Sequence, residues 1–199
     1  MEQDEQTFQE LEEQSAGAAV QSRYIHQYSS FPVHGNTTAE YFQVGDDMFP
    51  VLVRELEQAQ HYIYIEYFII NDGVMWRTIL DILERKAKEG VDVRLIYDGF
   101  GCLTTLPNRY DKVLREKSIK CTIFNPFRPL LNIVQNNRDH RKICVIDGKT
   151  GFTGGNQPRG RIYQPERTLR SLEGYRSHAQ GRGCLEYDGD VPAYVECGQ

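Results

Sequence analysis

Residues 136–155 read NNRDHRKICVIDGKTGFTGG, and this stretch decides how the rest of the chain is understood. Lys142 to Ile146 is an apolar, β-branched run, Asp147-Gly148 is a favoured two-residue hairpin turn, and Thr150 to Thr153 is the expected return strand. Residues two apart on a strand share a face, so His140 and Lys142 are expected to project side by side. Gly154-Gly155 follows, a pair whose bare backbone lets a ligand come close. An imidazole, an ammonium and such a backbone together suit an anionic oxygen, as in a phosphate.

The pattern His140-x-Lys142-x-x-x-x-Asp147 has a chemical rationale. An imidazole can attack phosphorus and hold a covalent intermediate, which divides one difficult step into two easier ones. A lysine nearby stabilises the charge that gathers on the non-bridging oxygens. Asp147 would orient a histidine or neutralise the local positive charge. An isolated His-x-Lys pair usually means a surface hairpin with scattered charges. Here the full spacing, with the turn and the glycine pair, favours a reaction centre.

Upstream, the chain alternates strands and helices. Asp46, Asp47 and Pro50 suit the first turn of a helix carrying Phe49, Leu52, Leu56 and Ala59 in step. Residues 62–70, YIYIEYFII, are apolar on both faces and read as a central strand. Glu66 interrupts that run, and a buried carboxylate needs a partner, so it belongs either to a core ion pair or to the wall of a site. Residues 75–87 form a second amphipathic helix stopped by Gly90, and 91–97 a further strand ending at Asp98. Loops at the carboxyl ends of strands in open α/β sheets hold ligands, which brings Asp98 towards the site. A helix from Leu106 to Lys117, a strand from Ile119 to Phe124 and a Pro-rich loop then lead to the motif. The fold class expected is α/β, a layered sandwich.

With 199 residues the chain is long enough for one domain with a real core. Its net charge of −5 argues against a nucleic-acid partner, although Arg138, Arg141 and Lys142 form a local basic patch. Cys102, Cys121, Cys144, Cys184 and Cys197 make no CxxC pair and no grouping with histidines that suggests a metal; Cys121 and Cys144 read as core thiols. Residues 1–22 are rich in Glu and Gln and read as a frayed helix or disordered lead-in. No signal peptide is visible, and no apolar run is long enough to span a bilayer.

The motif resembles the HKD motif of the phospholipase D superfamily. The ordered blocks FPVHGNTTAEYFQVGDDMF, IEYFIINDGVMW, VDVRLIYDGFG and NNRDHRKICVIDGK resemble the first catalytic half of bacterial cardiolipin synthases over roughly residues 20–155. That likeness implies a phospholipase D-like α/β/α sandwich, one lobe of two and incomplete, over residues 23–155. It implies transfer between two phosphatidylglycerol molecules to give cardiolipin and glycerol. His140 would be nucleophile or general acid/base and would pair with a histidine of the second half. Lys142 would hold the phosphoryl oxygens, Asp147 would support the histidine, and Glu66, Asp98, Arg138, Gly154 and Gly155 would line the substrate. No metal or cofactor is called for. The parent enzyme would sit on the cytoplasmic membrane, with this chain peripheral or cytoplasmic. Where the family shows a second acidic residue, this chain has Gly99.

After Gly155 the composition changes. Residues 156–199 hold six arginines and no lysine, against seven lysines before them, and only six Ile, Leu, Val, Met, Phe or Trp. The structural reading is a disordered or aberrant tail. Back-translated and read one base later, Asn156 to Pro165 becomes compatible with the family's continuation INLADEYIN, and later stretches follow suit. This predicts a single-base insertion near codon 156, whose DNA sequence would decide the matter. The family's asparagine two residues after the glycine pair is then replaced by Gln157, and the second HKD half is missing. The alternatives are a homodimeric phospholipase D-type phosphodiesterase, with two-fold symmetry supplying two histidines, or a non-enzymatic remnant.

Overall fold

The computed structural model describes residues 5–35, 37–127 and 137–155, together with the backbone of 176–180. Twelve elements follow one another among these: α1 (Glu5–Gln14), α2 (Ala16–Ser29), β1 (Thr38–Tyr41), α3 (Gly45–Gln58), β2 (Tyr62–Tyr67), α4 (Val74–Lys88), β3 (Asp92–Asp98), α5 (Tyr110–Glu116), β4 (Lys120–Phe124), β5 (Lys142–Ile146), β6 (Thr150–Gly154) and β7 (Arg176–Gln180). The strands form a single mixed sheet in the order β1-β7-β6-β5-β2-β3-β4. β2, β3 and β4 run parallel, joined by crossovers through α4 and α5. The chain then returns across the sheet so that β5 lies antiparallel to β2, with β6 and β7 continuing antiparallel beyond it. The α/β class with helix-covered sheet is as the sequence predicts.

The core lies on the sheet face that carries Ile63, Ile65, Tyr67, Val93, Leu95, Cys144, Ile146 and Phe152, against Leu52 and Leu56 of α3 and Trp76, Ile79 and Leu83 of α4. Both helices place those residues at helical spacing, so burying this stripe is what fixes them to the sheet. Trp76 donates its indole N–H to the Tyr110 hydroxyl at 2.9 Å, which ties α4 to α5 without leaving a buried donor unpaired. Cys121 and Cys144 are buried, free thiols within strands, as expected; burial pushes the Cys121 thiol up to about 12.

Several boundaries differ from the sequence expectation, each for a local reason. β2 ends at Tyr67 instead of reaching Ile70, because the Ile70 N–H is accepted by Cys102 Sγ at 3.2 Å instead of a strand carbonyl. α5 begins at Tyr110, since residues 102–106 spend their backbone bonds on turns from Asp98, Phe100 and Cys102. α2 passes through residue 22, where the sequence suggests the lead-in ends, and continues to Ser29. The α1–α2 pair buries Phe8 and Ala19, with Arg23 stacked on the Phe8 ring and ion-paired to Glu12. The β5–β6 connection takes three residues, not two. Asp147 and Gly148 adopt positive φ (52° and 62°) and Lys149 donates to the Ile146 carbonyl, but pairing resumes only at Ile146↔Thr150.

Within residues 156–199, which the sequence leaves without periodicity, the described part is β7, which pairs with both β6 and β1. Ladder pairing is a backbone property, so it needs no side-chain alternation to announce it. Asn156, Gln157 and the rest of the frame-displaced reading lie outside the described residues.

Candidate functional site

The candidate site forms where β2 and β3 end and the chain approaches β5. At that approach His140 is two residues short of the strand and exposed, whereas Lys142 opens β5 and is buried. Their expected proximity takes a specific form through Phe68, the residue after β2. The His140 imidazole lies 4.8 Å from the Phe68 ring centroid, and Lys142 Nζ lies 5.1 Å from the same centroid. Lys142 Nζ also donates to the His140 carbonyl, which fixes the backbone that carries the imidazole. Burial holds the Lys142 amine below the ordinary lysine range, with the Asp139 carboxylate pulling the other way. Phe68 is the residue that sequence reasoning missed, because it sits in an apolar run where nothing separates a core ring from a site floor.

Asp98 and Glu66 act on this approach from behind. Asp98 is fully buried at the end of β3. Its Oδ1 accepts the Phe100 and Gly101 N–H groups at 3.0 and 2.6 Å, and its Oδ2 accepts the Asp139 N–H at 3.0 Å. One carboxylate thereby joins the 99–101 turn to the residue next to His140. Glu66, 1% exposed, meets Arg141 Nη2 at 2.7 Å, and Arg141 Nε meets Asp139 Oδ1 at 3.0 Å. The core ion pair, one of the two meanings left open for Glu66, is present, and it lies directly against the motif. Burial works to raise the Asp139 carboxyl, but its hydrogen bonds and the Arg141 guanidinium hold it below the usual range. Asp139 and Arg141 flank His140 at an i, i+2 spacing, the signal that marks them in the sequence.

The remaining residues divide. Arg138 places its guanidinium 3.7 Å from the Phe100 ring centroid, at the rim of the same sheet end. Gly154 is in β6, and the Ile143↔Thr153 register continued by one residue sets it across from Lys142; Gly155 follows in an exposed bend. Gly99 has no room for the acidic side chain of the family pattern, since a Cβ there would lie 2.9 Å from Pro126 Cα. Gly101 is packed against the Phe68 carbonyl, where a Cβ would collide.

Asp147 is not brought to the histidine. It stands at the far end of β5, separated by the strand's length, roughly 16 Å at about 3.3 Å per residue. Its carboxylate accepts the N–H groups of Gln60, His61 and Tyr62, each at 2.8 Å, at the start of β2. Support of His140 by direct charge is therefore replaced by a structural task, clamping β2 to the β5–β6 turn. Beside it a cavity of about 420 Å³ is lined by Glu55, Gln58, Ile146, Lys149 and Thr150 among others, away from His140.

The helix-covered mixed sheet that carries this imidazole and amine belongs to the class of phospholipase D-like domains. The chain belongs to the family described as "Cardiolipin synthase, PLD-like domain", whose family model matches residues 52–156. It is 43% identical over 152 residues to an uncharacterised protein of Streptococcus mutans, covering 76% of this chain and 33% of that protein. It is 39% identical over 132 residues to cardiolipin synthase 1 of Bacillus cereus, covering 66% of this chain and 26% of that one. The chain thus spans about a quarter to a third of the length of these curated relatives. NucT from Helicobacter pylori shares the fold, with a TM-score of 0.57 at 14% identity over 78% of this chain and 92% of that one. Among the described residues no helix is long and apolar enough to cross a membrane, and no three His, Cys, Asp or Glu side chains gather as a metal would require.

Proposed function

We propose that this chain supplies one lobe of a cardiolipin synthase-type phosphatidyltransferase, joining two phosphatidylglycerol molecules into cardiolipin with release of glycerol. The observation that carries this reading is the buried Lys142 amine beside the exposed His140 imidazole, on one aromatic floor. A desolvated cation gains most from an anionic partner, and a phosphoryl group reaching His140 brings that charge.

In this reading an imidazole nitrogen of His140 attacks phosphorus, and the bond from phosphorus to the glycerol oxygen breaks. The departing glycerol takes a proton from a second histidine, carried by another motif-bearing lobe or by a second copy of this chain. That same histidine then removes the proton from the free hydroxyl of the second phosphatidylglycerol, whose oxygen displaces His140 and forms cardiolipin. Lys142 binds the non-bridging oxygens throughout. Nucleophile and charge both come from the protein, so no metal or cofactor enters the scheme, and the lipid is met at a membrane surface.

The test is incubation of the protein with radiolabelled phosphatidylglycerol, following cardiolipin, glycerol and an acid-labile phosphatidyl-enzyme. His140→Ala should abolish all three. Lys142→Met should slow the reaction by about a hundredfold or more, the loss typical of removing one oxyanion-stabilising group. Cardiolipin formed at an undiminished rate by His140→Ala would end the proposal. Cleavage of DNA without action on the lipid would replace it with the homodimeric phosphodiesterase.

A further inference from the structure

The loops that frame the site carry a group of large apolar side chains in water. Phe100, Leu103 and Phe127 are 45%, 42% and 43% exposed. They stand on two loops at the ends of β3 and β4, with the Phe100 and Phe127 rings 6.0 Å apart in edge contact. The Arg138 guanidinium lies over the Phe100 face. Asp98 holds the Phe100 N–H and the Asp139 N–H on its two oxygens, so the aromatic loop and His140 are fixed to one carboxylate.

We propose that Phe100, Leu103 and Phe127, with Arg138, form a rim that inserts into the interfacial layer of an anionic phospholipid bilayer and presents lipid head groups to His140. The inference rests on the phospholipid reading above and names the surface through which that substrate arrives. Charge supports it. The carboxylates at this end face inward: Asp98, Asp139 and Glu66 are buried and bonded, and the exposed Asp72 is bridged by Arg77 at 2.7 and 3.0 Å. Among the described residues, the groups at the rim without a carboxylate partner of their own are Arg138, half-buried over Phe100, and the exposed His140, while the exposed Arg141 spends its guanidinium on Glu66 and Asp139. Aromatic rings with a cation above them match the boundary between head groups and acyl chains, where apolar bodies and charged tips are both satisfied. Three side chains on two loops are too few for a lasting protein contact, which draws on about 20–30 residues a side. They suffice for a peripheral membrane contact backed by charge.

The experiment compares partition of the full chain onto vesicles of phosphatidylcholine alone and of phosphatidylcholine with phosphatidylglycerol. Anionic vesicles should bind it more tightly, and added salt should weaken that binding. Phe100→Ser combined with Phe127→Ser should reduce partition by at least about tenfold, the factor expected when one such side chain stays in water. Tyr28→Ser, which alters an exposed ring on α2, should leave partition unchanged. Phe100→Trp gives a second readout that does not depend on the double variant folding: its emission should shift to the blue on anionic vesicles and be quenched by brominated acyl chains. No blue shift, or equal partition of the double variant and the parent, overturns the rim. So does a self-association of the parent that the double variant abolishes, since the patch would then be a protein contact. Binding is read without turnover. A chain that binds through these residues but forms no cardiolipin keeps the rim and loses the transferase reading.

Discussion

At the scale of single residues, one motif contains side chains with unlike tasks. His140 and Lys142 meet on Phe68, whereas Asp147 binds three backbone N–H groups at the opposite end of β5. The Asp147 carboxyl feels burial, which would raise it, but the Tyr62, Gln60 and His61 N–H groups prevail and hold it below the usual carboxylate range. The folded state therefore binds this proton less readily than the unfolded chain. Its contribution to stability is complete above the unfolded value of about 4 and is lost as pH falls through the depressed folded value. Asp147→Ala should cost about 2 kcal/mol in urea unfolding at pH 7, the scale of hydrogen bonds to a charged acceptor. The difference from the parent should shrink as the pH is lowered towards 3. A difference that stays constant with pH would show that the carboxylate's charge is irrelevant. The sequence pattern alone made Asp147 look like a partner of His140. Spacing along a strand tells which face a residue takes, not that five strand positions put it at the other end.

At the scale of elements, the fold was legible wherever a face is buried. α3 and α4 show their helical stripes, and β2 to β5 show apolar runs, because each is pressed against the core. β1 was hidden since all four of its residues are exposed, leaving no alternation to read. α1 and α2 were obscured by burying so little, Phe8 and Ala19 being their buried residues. Contacts between elements were also out of reach: nothing in the order of residues links Glu66 on β2 to Arg141 before β5. That pair carries a prediction. Arg141→Ala leaves the Glu66 carboxylate buried without its cation. Because the guanidinium is 43% exposed, the cost should be about 1–3 kcal/mol, below that of a fully enclosed pair. Adding Glu66→Gln to Arg141→Ala should recover part of the loss, as seen in a double-mutant cycle by urea denaturation. Strictly additive losses would mean that the two side chains do not act together.

At the scale of the whole molecule, the sheet is continued on its far side by β7, which lies between β6 and the edge strand β1. Ending the chain after Gly155 should therefore free the β6 edge and leave β1 without its sheet partner. Hydrogen exchange is the check. The β6 amides directed at β7 should exchange at least about tenfold faster in the shortened chain, while those directed at β5 keep their protection. Unchanged exchange along all of β6 would show that β7 contributes nothing to the sheet.

The place of β5 also dictates an order of assembly. β2 and β3 are neighbours in the sheet and close in the chain, but β5 must travel back to the other edge of β2, and its turn is pinned to Gln60 across 87 positions. Closing so long a loop is slow, so the parallel β2–β3–β4 layer has time to form first and wait with one flank bare. His140 and Lys142 become a pair only when that flank is filled. During synthesis the imidazole and the amine should therefore meet over Phe68 only after the parallel layer is in place, and until then the proposed site has its floor without the groups that stand on it.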